Sequence, residues 1–332
     1  MTPIDAVVTW VDGDDPVLRR KRSGYITGRQ EDSFDDIAGS TRYTSSGEIF
    51  LCVASILKFA PFIRRIFIIT DGQDPHIGRL ISGYFPDCGV SVRIVDHKEI
   101  FRGYGQYLPT FNSLSIETMM YRIPGLSEHF VYFNDDFMLL RPLEESDLVS
   151  DGRPVVYGYW HFTFTAWLCR LLGRLKKHSE FKFRDSMLNA ATTLGGKALF
   201  RFIRTSHSPQ VLRKSVCERF YARHPEALVS NIRHKFRDKS QFNPQTLFHT
   251  MMLYSGDCVL RSEKDALVYI GPRAEWKAKT RRMIDRLKGS RTAKFCCINS
   301  LDKASPDQKA EILEYLSGKI GIPFGTEFEG NF

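Results

Sequence analysis

The sequence has few cysteines, and they show none of the spacings that bind zinc. Its seven cysteines are scattered along 332 residues, and none forms a CxxC pair. An odd number of dispersed cysteines also argues against a disulfide framework. We therefore expect most of them to be small buried apolar side chains in a reducing compartment.

A signal peptide and an uninterrupted membrane span are also lacking. The first residues have no basic segment ahead of an apolar one, and a β-rich run begins at Ile4. The apolar stretch at 155–173 approaches the length of a span but contains His161 and Arg170. We predict a strand followed by an amphipathic helix that faces the substrate or a membrane surface. The sequence thus favours a cytoplasmic protein and leaves open a peripheral contact with the inner face of the membrane.

No nucleic-acid-binding motif accompanies the positive charge of the chain. Lysine and arginine exceed the acidic residues by nine, and the excess lies in the second half. A positive field attracts anionic partners such as phosphorylated sugars, acidic membranes or nucleic acid. The sequence has no RNP-type strand, zinc-finger spacing or recognition helix, so no nucleic-acid partner is expected.

Apolar runs of strand length alternate with helical patterns through the first 150 residues. Four runs are rich in β-forming residues and end in polar turns, at residues 4–10, 65–70, 91–95 and 129–133. Three helical patterns lie between them, at residues 47–59, 77–85 and 113–121. This alternation predicts an α/β fold with a mostly parallel sheet.

The pattern changes after Pro142. Residues 151–290 are basic and helical in most of their pattern, and residues 291–332 return to short strand and helix patterns. We therefore predict an α/β core at 1–150, a basic and largely helical insert at 151–290, and a C-terminal segment at 291–332 that returns to the core.

Polar residues follow each of the four predicted strands. In chain order these are Asp12 and Asp14, Asp71 and Gln73, Asp96 and His97, and Asn134, Asp135 and Asp136. Ligands of open parallel sheets bind beyond the carboxyl ends of the strands. A single acidic turn is common, but four at one edge predict a binding site.

Asn134, Asp135 and Asp136 carry the strongest signal. Two adjacent carboxylates at a strand end point in different directions, so one can hold a metal while the other holds a hydroxyl or acts as a base. Hard oxygen ligands suit Mg²⁺ or Mn²⁺, which in turn bridge a diphosphate. The alternative is a solvated turn in which Asn134 caps the next element. The apolar residues on both sides favour the metal site.

The turn after the first strand is a weaker candidate. Trp10 could hold a base, while Asp12 or Asp14, on either side of Gly13, could contact a ribose or the metal. The turns at Asp71-Gly72-Gln73 and Asp96-His97 are equally compatible with ordinary turn chemistry.

A loop at 108–113 leads into the helical pattern that contains Glu117. Asn112 and Ser113 could cap that helix, and the start of the helix could receive a phosphate. For each residue alone, capping is the simpler role.

Taken together, these segments resemble the Stealth family of sugar-phosphate transferases. That family includes bacterial capsular and exopolysaccharide phosphotransferases and the catalytic part of the eukaryotic N-acetylglucosamine-1-phosphotransferase. Its first block resembles residues 4–16. Its long second block is similar to Arg42-Tyr43 and to residues 46–48, 55–61, 66–73, 95–97, 108–117, 122–126 and 132–136. Its later blocks are similar to residues 206–209, Lys214, Phe236-Arg237, 294–299 and Phe328-Glu329.

Two positions depart from the family pattern. Asn299 is followed by Ser300 where the family usually has an aspartate, which puts a carboxylate role there in doubt. Phe62 stands where the family often has a tryptophan. Neither departure touches Asp135 or Asp136.

The resemblance implies a GT-A-like nucleotide-sugar fold and the transfer of a hexose-1-phosphate unit from a UDP-sugar to a glycan hydroxyl. The products would be a phosphodiester and UMP. His97 or His207 is the candidate base for the acceptor hydroxyl. Lys214 and Arg237 would neutralise the transferred phosphate.

The resemblance also implies how donor and metal are held. Asp135 and Asp136 would bind Mg²⁺ or Mn²⁺, with Asp5, Asp12 or Asp14 helping to hold nucleotide or metal. The predicted donor contacts are Trp10, Asp12, Gly13, Asp14, Asp71, Gln73, Asn112, Ser113 and Lys214.

Two other functions stay open. A metal-dependent glycosyltransferase of the same architecture would attack the anomeric carbon and release UDP. A non-catalytic polyanion-binding protein would bind in a salt-sensitive manner and release no nucleotide. Strand-end carboxylates do not separate the first two enzymes, but their clustering opposes the third function.

Overall fold

The computed structural model describes residues 2–26, 47–175 and 183–323. Among the residues that carry the family resemblance, Arg42, Tyr43, Ser46, Phe328 and Glu329 lie outside the described residues. The same holds for the basic residues Lys176, Lys177 and His178, which follow the apolar stretch at 155–173.

The described residues form twelve strands and twelve α-helices. The strands are β1 (Ile4–Thr9), β2 (Ile63–Thr70), β3 (Ser91–Asp96), β4 (His129–Asn134), β5 (Phe137–Leu139), β6 (Val149–Ser150), β7 (Arg153–Phe162), β8 (Arg201–Thr205), β9 (Gln210–Arg213), β10 (Val259–Arg261), β11 (Leu267–Ile270) and β12 (Phe295–Ile298). The helices are α1 (Pro16–Ser23), α2 (Glu48–Phe59), α3 (Ile77–Tyr84), α4 (His97–Ile100), α5 (Ser113–Met119), α6 (Thr163–Leu175), α7 (Phe183–Leu194), α8 (Lys214–Arg223), α9 (Pro225–Ile232), α10 (Pro244–Ser255), α11 (Lys277–Gly289) and α12 (Pro306–Ile320).

A five-stranded sheet forms the centre of the molecule, in the order β3-β2-β1-β4-β9. Strands β1 to β4 are parallel, and β9 runs antiparallel to β4. The sequence prediction of a mostly parallel sheet is therefore confirmed.

The inner strands are continuous apolar runs because both faces of the sheet are covered. Val8 and Ile68 pack with helix α2 on one face. Val7 and Phe67 pack on the other face with Met119 of α5. Burial of alternate side chains on opposite faces thus fixes the register of these strands.

Two smaller sheets extend the core. One contains β10, β7 and β6, with β8 paired to β7, and the other has the order β11-β12-β5. Strand β5 begins directly after Asp136, and β12 pairs with it. The amide of Ile298 donates a 3.0 Å hydrogen bond to the carbonyl of Asp136. Residues near the C-terminus therefore lie against the turn that carries Asp135 and Asp136.

Within 151–290 the described residues form helices α6 to α11 and five strands, β7 to β11. One of these strands, β9, completes the central sheet. Another, β7, approaches β8 at Gly158, where an added Cβ would lie 2.5 Å from the carbonyl oxygen of Arg204. Only glycine fits this close approach.

Residues 155–173 form the predicted strand followed by a helix, β7 and α6. Among the helices in the described ranges, none is both long and apolar enough to cross a membrane.

Candidate active site

The carboxyl ends of the parallel strands meet at one edge of the central sheet. Thr9 of β1 pairs with Ile69 of β2 and with Asn134 of β4, and Thr70 pairs with Asp96 of β3. A cavity of about 730 Å³ lies beyond this edge. The predicted clustering of polar turns at one edge is therefore present in the structure.

Asp135 and Asp136 lie in the turn between β4 and β5, on the wall of the cavity. Both residues are half-buried. The Cys297 thiol lies 3.6 Å from Oδ2 of Asp136. Oδ1 of Asp136 is buried, and none of the described residues donates a hydrogen bond to it. A buried carboxylate oxygen without a donor is a position that a cation would satisfy.

Glu48, at the start of α2, adds a third carboxylate to this wall. Loss of hydration raises the pKa of Asp135 well above its usual range, and the charges of Asp136 and Glu48 add to this effect. Loss of hydration, with a further contribution from Glu48, raises the pKa of Asp136 to about 7. The cluster therefore favours either protons or a cation.

A divalent metal ion fits this wall if phosphate oxygens of a bound molecule supply part of its coordination. The described residues contain no group of three or more His, Cys, Asp and Glu side chains placed to hold a metal by themselves. Mg²⁺ commonly takes one or two carboxylates together with phosphate oxygens and water. Asp135, together with the donor-free oxygen of Asp136, matches that donor set.

A second wall is built around Glu117 on α5. The Tyr132 hydroxyl lies 3.3 Å from Oε1 of Glu117. Its shortest hydrogen bond is donated to Oδ1 of Asn134. Burial raises the pKa of Glu117, while the Arg237 guanidinium opposes that rise. Arg237 itself donates a 2.7 Å hydrogen bond to Oγ of Ser113. The predicted residues Ser113 and Arg237 are thus brought together in the cavity.

His207 lies where the loop between β8 and β9 meets the cavity. Its ring centre is 5.0 Å from that of Tyr269. Partial loss of hydration, reinforced by the Arg204 charge, lowers the pKa of His207. Burial raises the pKa of Tyr269 to about 12, and the charge of Asp136 contributes. The lowered pKa favours the neutral ring of His207, which lines the same cavity as the paired aspartates.

His97 follows β3, which is the parallel strand farthest from β4, and it lines the cavity with Asp71 and Trp10, which follow β2 and β1. Burial lowers its pKa to about 4, although the charges of Asp71 and Asp96 oppose that shift. Asp71 is held by a 2.7 Å ion pair with Lys21 of α1. Both histidines face the cavity, but they lie beside different strand ends.

Basic side chains from the second half of the chain complete the lining. They are Arg184, Arg204, Arg237 and Lys303. Glu263 and Asp302 from the second half also line the cavity. The cavity thus combines carboxylates on the wall formed by β4 and α2 with nearby cations, an arrangement suited to a metal–diphosphate ligand.

Several predicted residues brace the site and do not line it. Nε2 of Gln73 donates to the carbonyl of Asp12 at 2.8 Å, and Oε1 of Gln73 accepts from the Asp12 amide at 3.0 Å. The Gly13 carbonyl accepts a hydrogen bond from Arg19, which also forms an ion pair with exposed Asp14. These contacts shape the turn after β1, and the predicted direct contacts of Asp12, Gly13, Asp14 and Gln73 with ligand are not seen in the cavity lining.

Asn112 is fully buried and is not part of the cavity lining. Its Oδ1 caps α5 by accepting from the Leu114 amide at 3.1 Å. Its Nδ2 donates at 2.8 Å to the Phe236 carbonyl and at 2.8 Å to Oε1 of Gln241. The side chain therefore positions the loop that carries Arg237.

Lys214 and Asp5 lie at the opposite edge of the sheet, outside the cavity lining. Lys214 follows β9, and its amide donates to the Glu128 carbonyl just before β4 begins. Asp5 is fully buried near the start of β1, where it accepts hydrogen bonds of 3.0 and 2.8 Å from Arg64. The direction of each strand carries these residues away from the cavity.

Glu48 and Glu117 were not predicted as functional residues. The sequence signal for each is an acidic residue in the buried part of an apolar helix: both are only 7% exposed. Carboxylates are rarely buried in such places without a role or a partner.

Two family models match the chain. The model for Stealth protein CR1, conserved region 1, matches residues 2–30, and that for Stealth protein CR2, conserved region 2, matches residues 42–155. The second match ends beyond Asp135 and Asp136 and includes Glu48 and Glu117.

Named relatives match over most of the chain. An exopolysaccharide phosphotransferase of Streptomyces coelicolor is 30% identical over 97% of this chain and 52% of its own length. A capsular polysaccharide phosphotransferase of Haemophilus influenzae is 31% identical over 91% of this chain and 79% of its own length. The chain thus spans about half the length of the Streptomyces relative.

A solved structure shares the fold. The WbbM bifunctional glycosyltransferase in its apo form matches with a TM-score of 0.53 and 11% identity, over 99% of this chain and 51% of that one. The predicted GT-A-like α/β fold is confirmed.

Proposed function

Because the chain belongs to the Stealth family, we propose that it is a sugar-phosphate transferase. It moves a hexose-1-phosphate unit from a UDP-sugar to a hydroxyl of a capsular or exopolysaccharide glycan and releases UMP. The names of the relatives support this activity. The observation that carries it is one cavity lined both by the paired aspartates and by His207 and Arg237, which come from the second half of the chain.

Asp135 and Asp136 hold Mg²⁺ or Mn²⁺ in this proposal, and the charge of Glu48 strengthens their attraction for a cation. When bound, the metal neutralises the diphosphate of the donor. The donor-free Oδ1 of Asp136 supports this assignment.

His207 is the base for the acceptor hydroxyl. The acceptor oxygen attacks the phosphorus that carries the sugar, and its proton passes to the neutral imidazole of His207. The bond from this phosphorus to the bridging oxygen breaks, and that oxygen leaves with UMP. The pKa of His207, lowered from its usual value, supports this role because the ring is unprotonated at neutral pH.

Arg237 and Arg204 neutralise the negative charge on the oxygens of the transferred phosphoryl group. In phosphoryl transfer the protein acts through positioning and charge neutralisation. Arg237 is fixed by its hydrogen bond to Ser113. The end of the cavity with Trp10, Asp71 and His97 receives the nucleoside, with His97 in a binding role.

A metal-dependent glycosyltransferase is the second candidate, because the solved structure with the shared fold is a glycosyltransferase. It would use the same carboxylates and the same donor. The acceptor would attack the anomeric carbon, and both phosphates would leave as UDP.

The nucleotide product separates the two reactions. The purified chain is incubated with a panel of UDP-sugars, Mg²⁺ or Mn²⁺ and an acceptor glycan, and the nucleotides are resolved by chromatography. UMP is expected, and its release is lost in Asp135→Ala and Asp136→Ala but kept in the matched control Lys214→Ala. UDP as the product would establish the glycosyltransferase instead. Salt-sensitive glycan binding without any nucleotide release would leave only polyanion binding.

A further inference from the structure

Helix α6 presents an apolar stripe to solvent. Phe164, Trp167, Leu168, Leu171 and Leu172 follow the i, i+3, i+4, i+7, i+8 spacing of one helix face. In most globular proteins such a stripe faces the core, but here 38% to 67% of each residue is exposed. A helix face with the sequence pattern of a buried one is thus exposed to solvent.

The stripe continues onto the neighbouring turn. Phe162, Leu199 and Phe200 are each more than half exposed. The Thr163 amide donates to the Phe200 carbonyl at 2.9 Å, which places this turn against the first residues of α6. We call these residues the apolar face: Phe162, Phe164, Trp167, Leu168, Leu171, Leu172, Leu199 and Phe200.

Basic residues accompany the apolar face. Lys197 and Arg201 flank Leu199 and Phe200 in the chain, and both are exposed. Between Arg153 and Thr205 the sequence holds ten lysines and arginines but only two acidic residues, Glu180 and Asp185. A surface that pairs with this region must therefore be anionic.

We propose that the apolar face docks on an anionic phospholipid surface. Tryptophan and phenylalanine are favoured at the boundary between headgroups and acyl chains, and the leucines would enter the acyl layer. Lysine and arginine at the rim would contact lipid phosphates. A second copy of this chain is a poorer occupant, because its own basic rim would face the basic rim of the first.

The docked surface would lie beside the mouth of the cavity. Tyr159 of β7 and Arg204 of β8 line the cavity, and the same two strands lead to Phe162 and Arg201 of the docking region. The proposal goes beyond the proposed function and does not depend on it, since lipid binding needs no donor or acceptor.

Vesicle sedimentation tests the proposal in the absence of nucleotide sugar. The purified chain is mixed with vesicles of phosphatidylcholine alone or of equal parts phosphatidylcholine and phosphatidylglycerol. We expect binding to the anionic vesicles, weakened by salt. The triple variant Phe164→Ser, Trp167→Ser, Leu171→Ser is expected to bind at least about tenfold more weakly.

Trp276→Ser is the matched control. Trp276 is an exposed tryptophan between basic residues, with Lys279 4.1 Å and Arg273 4.9 Å from its ring centre. It lies directly before α11 and not on the apolar face. This variant should bind vesicles as the wild type does. An unchanged thermal midpoint of the triple variant shows that its fold is intact.

Fluorescence gives a second readout if the triple variant does not fold. Binding to anionic vesicles is expected to shift the tryptophan emission to the blue, and Trp167→Phe should remove most of that shift while keeping the binding. Wild-type protein that stays in the supernatant with both vesicle types overturns the proposal. So does a wild-type dimer that the triple variant converts to a monomer without either form binding lipid.

Discussion

Arg237 donates a 2.7 Å hydrogen bond to Ser113, a residue 124 positions earlier in the chain. The contact joins the basic second half to the first turn of α5. Asn112, next to Ser113, holds the carbonyl of Phe236, next to Arg237. Asn112 and Ser113 thus hold Phe236 and Arg237 in place. The guanidinium of Arg237 is therefore positioned beside Glu117 before any ligand binds. Such preorganisation lowers the cost of stabilising charge in a transition state.

Replacing Arg237 tests this arrangement. Arg237→Ala should lower kcat/KM by about 100-fold or more, because the loss of one preorganised donor costs that much in comparable sites. Arg237→Lys keeps the charge but loses the planar fork, so a partial loss is expected. Initial rates of nucleotide release are the measurement, with exposed Arg219→Lys on α8 as the control. Wild-type rates in Arg237→Ala would remove Arg237 from the proposed chemistry.

Asp136→Asn should separate activity from stability. Loss of the carboxylate is expected to lower turnover by at least about 100-fold, since it weakens the hold on the metal. In metal-free buffer the variant should unfold at the same or a higher temperature, because one of the mutually repelling carboxylates is gone. Thermal unfolding with and without Mg²⁺ is measured, and the metal-induced rise of Tm should vanish.

Asp14→Asn provides the comparison for that experiment. Asp14 is exposed and paired with Arg19, and it lies outside the cavity lining. The variant should keep both turnover and the response of Tm to Mg²⁺. Equal losses in Asp14→Asn and Asp136→Asn would argue against a metal site at the end of β4.

The two cavity histidines should differ in kinetics. His207→Gln is expected to lower kcat by about 100-fold or more, as the loss of a general base does. His97→Gln should raise KM for the donor with a smaller change in kcat. Because its surroundings lower the pKa of His207 from 6.5, the acid limb of kcat/KM in the wild type should lie below pH 6.5. The reverse pattern in the two variants would make His97 the base.

Substitutions at the opposite edge of the sheet should affect stability and not chemistry. Asp5→Asn removes the charge that Arg64 contacts and weakens the bond from the Ser127 amide, so unfolding should become easier by roughly 2 kcal/mol. Lys214→Ala should change neither turnover nor stability appreciably, because its ion pair with Glu218 is partly exposed. Urea unfolding and initial rates measure the two effects. A large loss of turnover in Lys214→Ala would restore its predicted role.

Acid should destabilise the fold through buried His249. Burial lowers its pKa to about 4 in the folded chain, from an ordinary value of 6.5. Between pH 6.5 and about pH 4, His249 is protonated in the unfolded chain but not in the folded chain. The free energy of unfolding therefore falls as the pH is lowered through this window. At pH 5 the cost is about 2 kcal/mol. Urea unfolding at pH 7.5 and pH 5 should show a smaller difference for His249→Gln than for the wild type.

The strand ends could be predicted from sequence because a buried parallel strand is a continuous run of apolar residues. The run at 129–133 is apolar throughout, and Asp135 and Asp136 follow it at once. In the structure β4 spans His129–Asn134, one residue longer than predicted. The carboxylates at its end face the cavity since every neighbouring strand points the same way.

Other parts of the site depend on pairings that no local pattern contains. The family resemblance places Lys214 in the site, yet β9 runs antiparallel to β4 and carries it to the far edge. The opposite directions of these two strands could not be read from four residues of sequence. Glu48 was missed for a similar reason, since its importance arises only when α2 packs beside the turn at Asp136.

Strand β9 also determines how far the two halves of the chain are separable. Four residues, Gln210 to Arg213, pair with the outer edge of β4. A fragment that stops at residue 150 would leave that edge open, with its amides and carbonyls free to pair with another chain. The first 150 residues are therefore not a module that can be excised or exchanged at that point. Chimeras between relatives that aim to swap acceptor preference must carry β9 with the sheet that it closes.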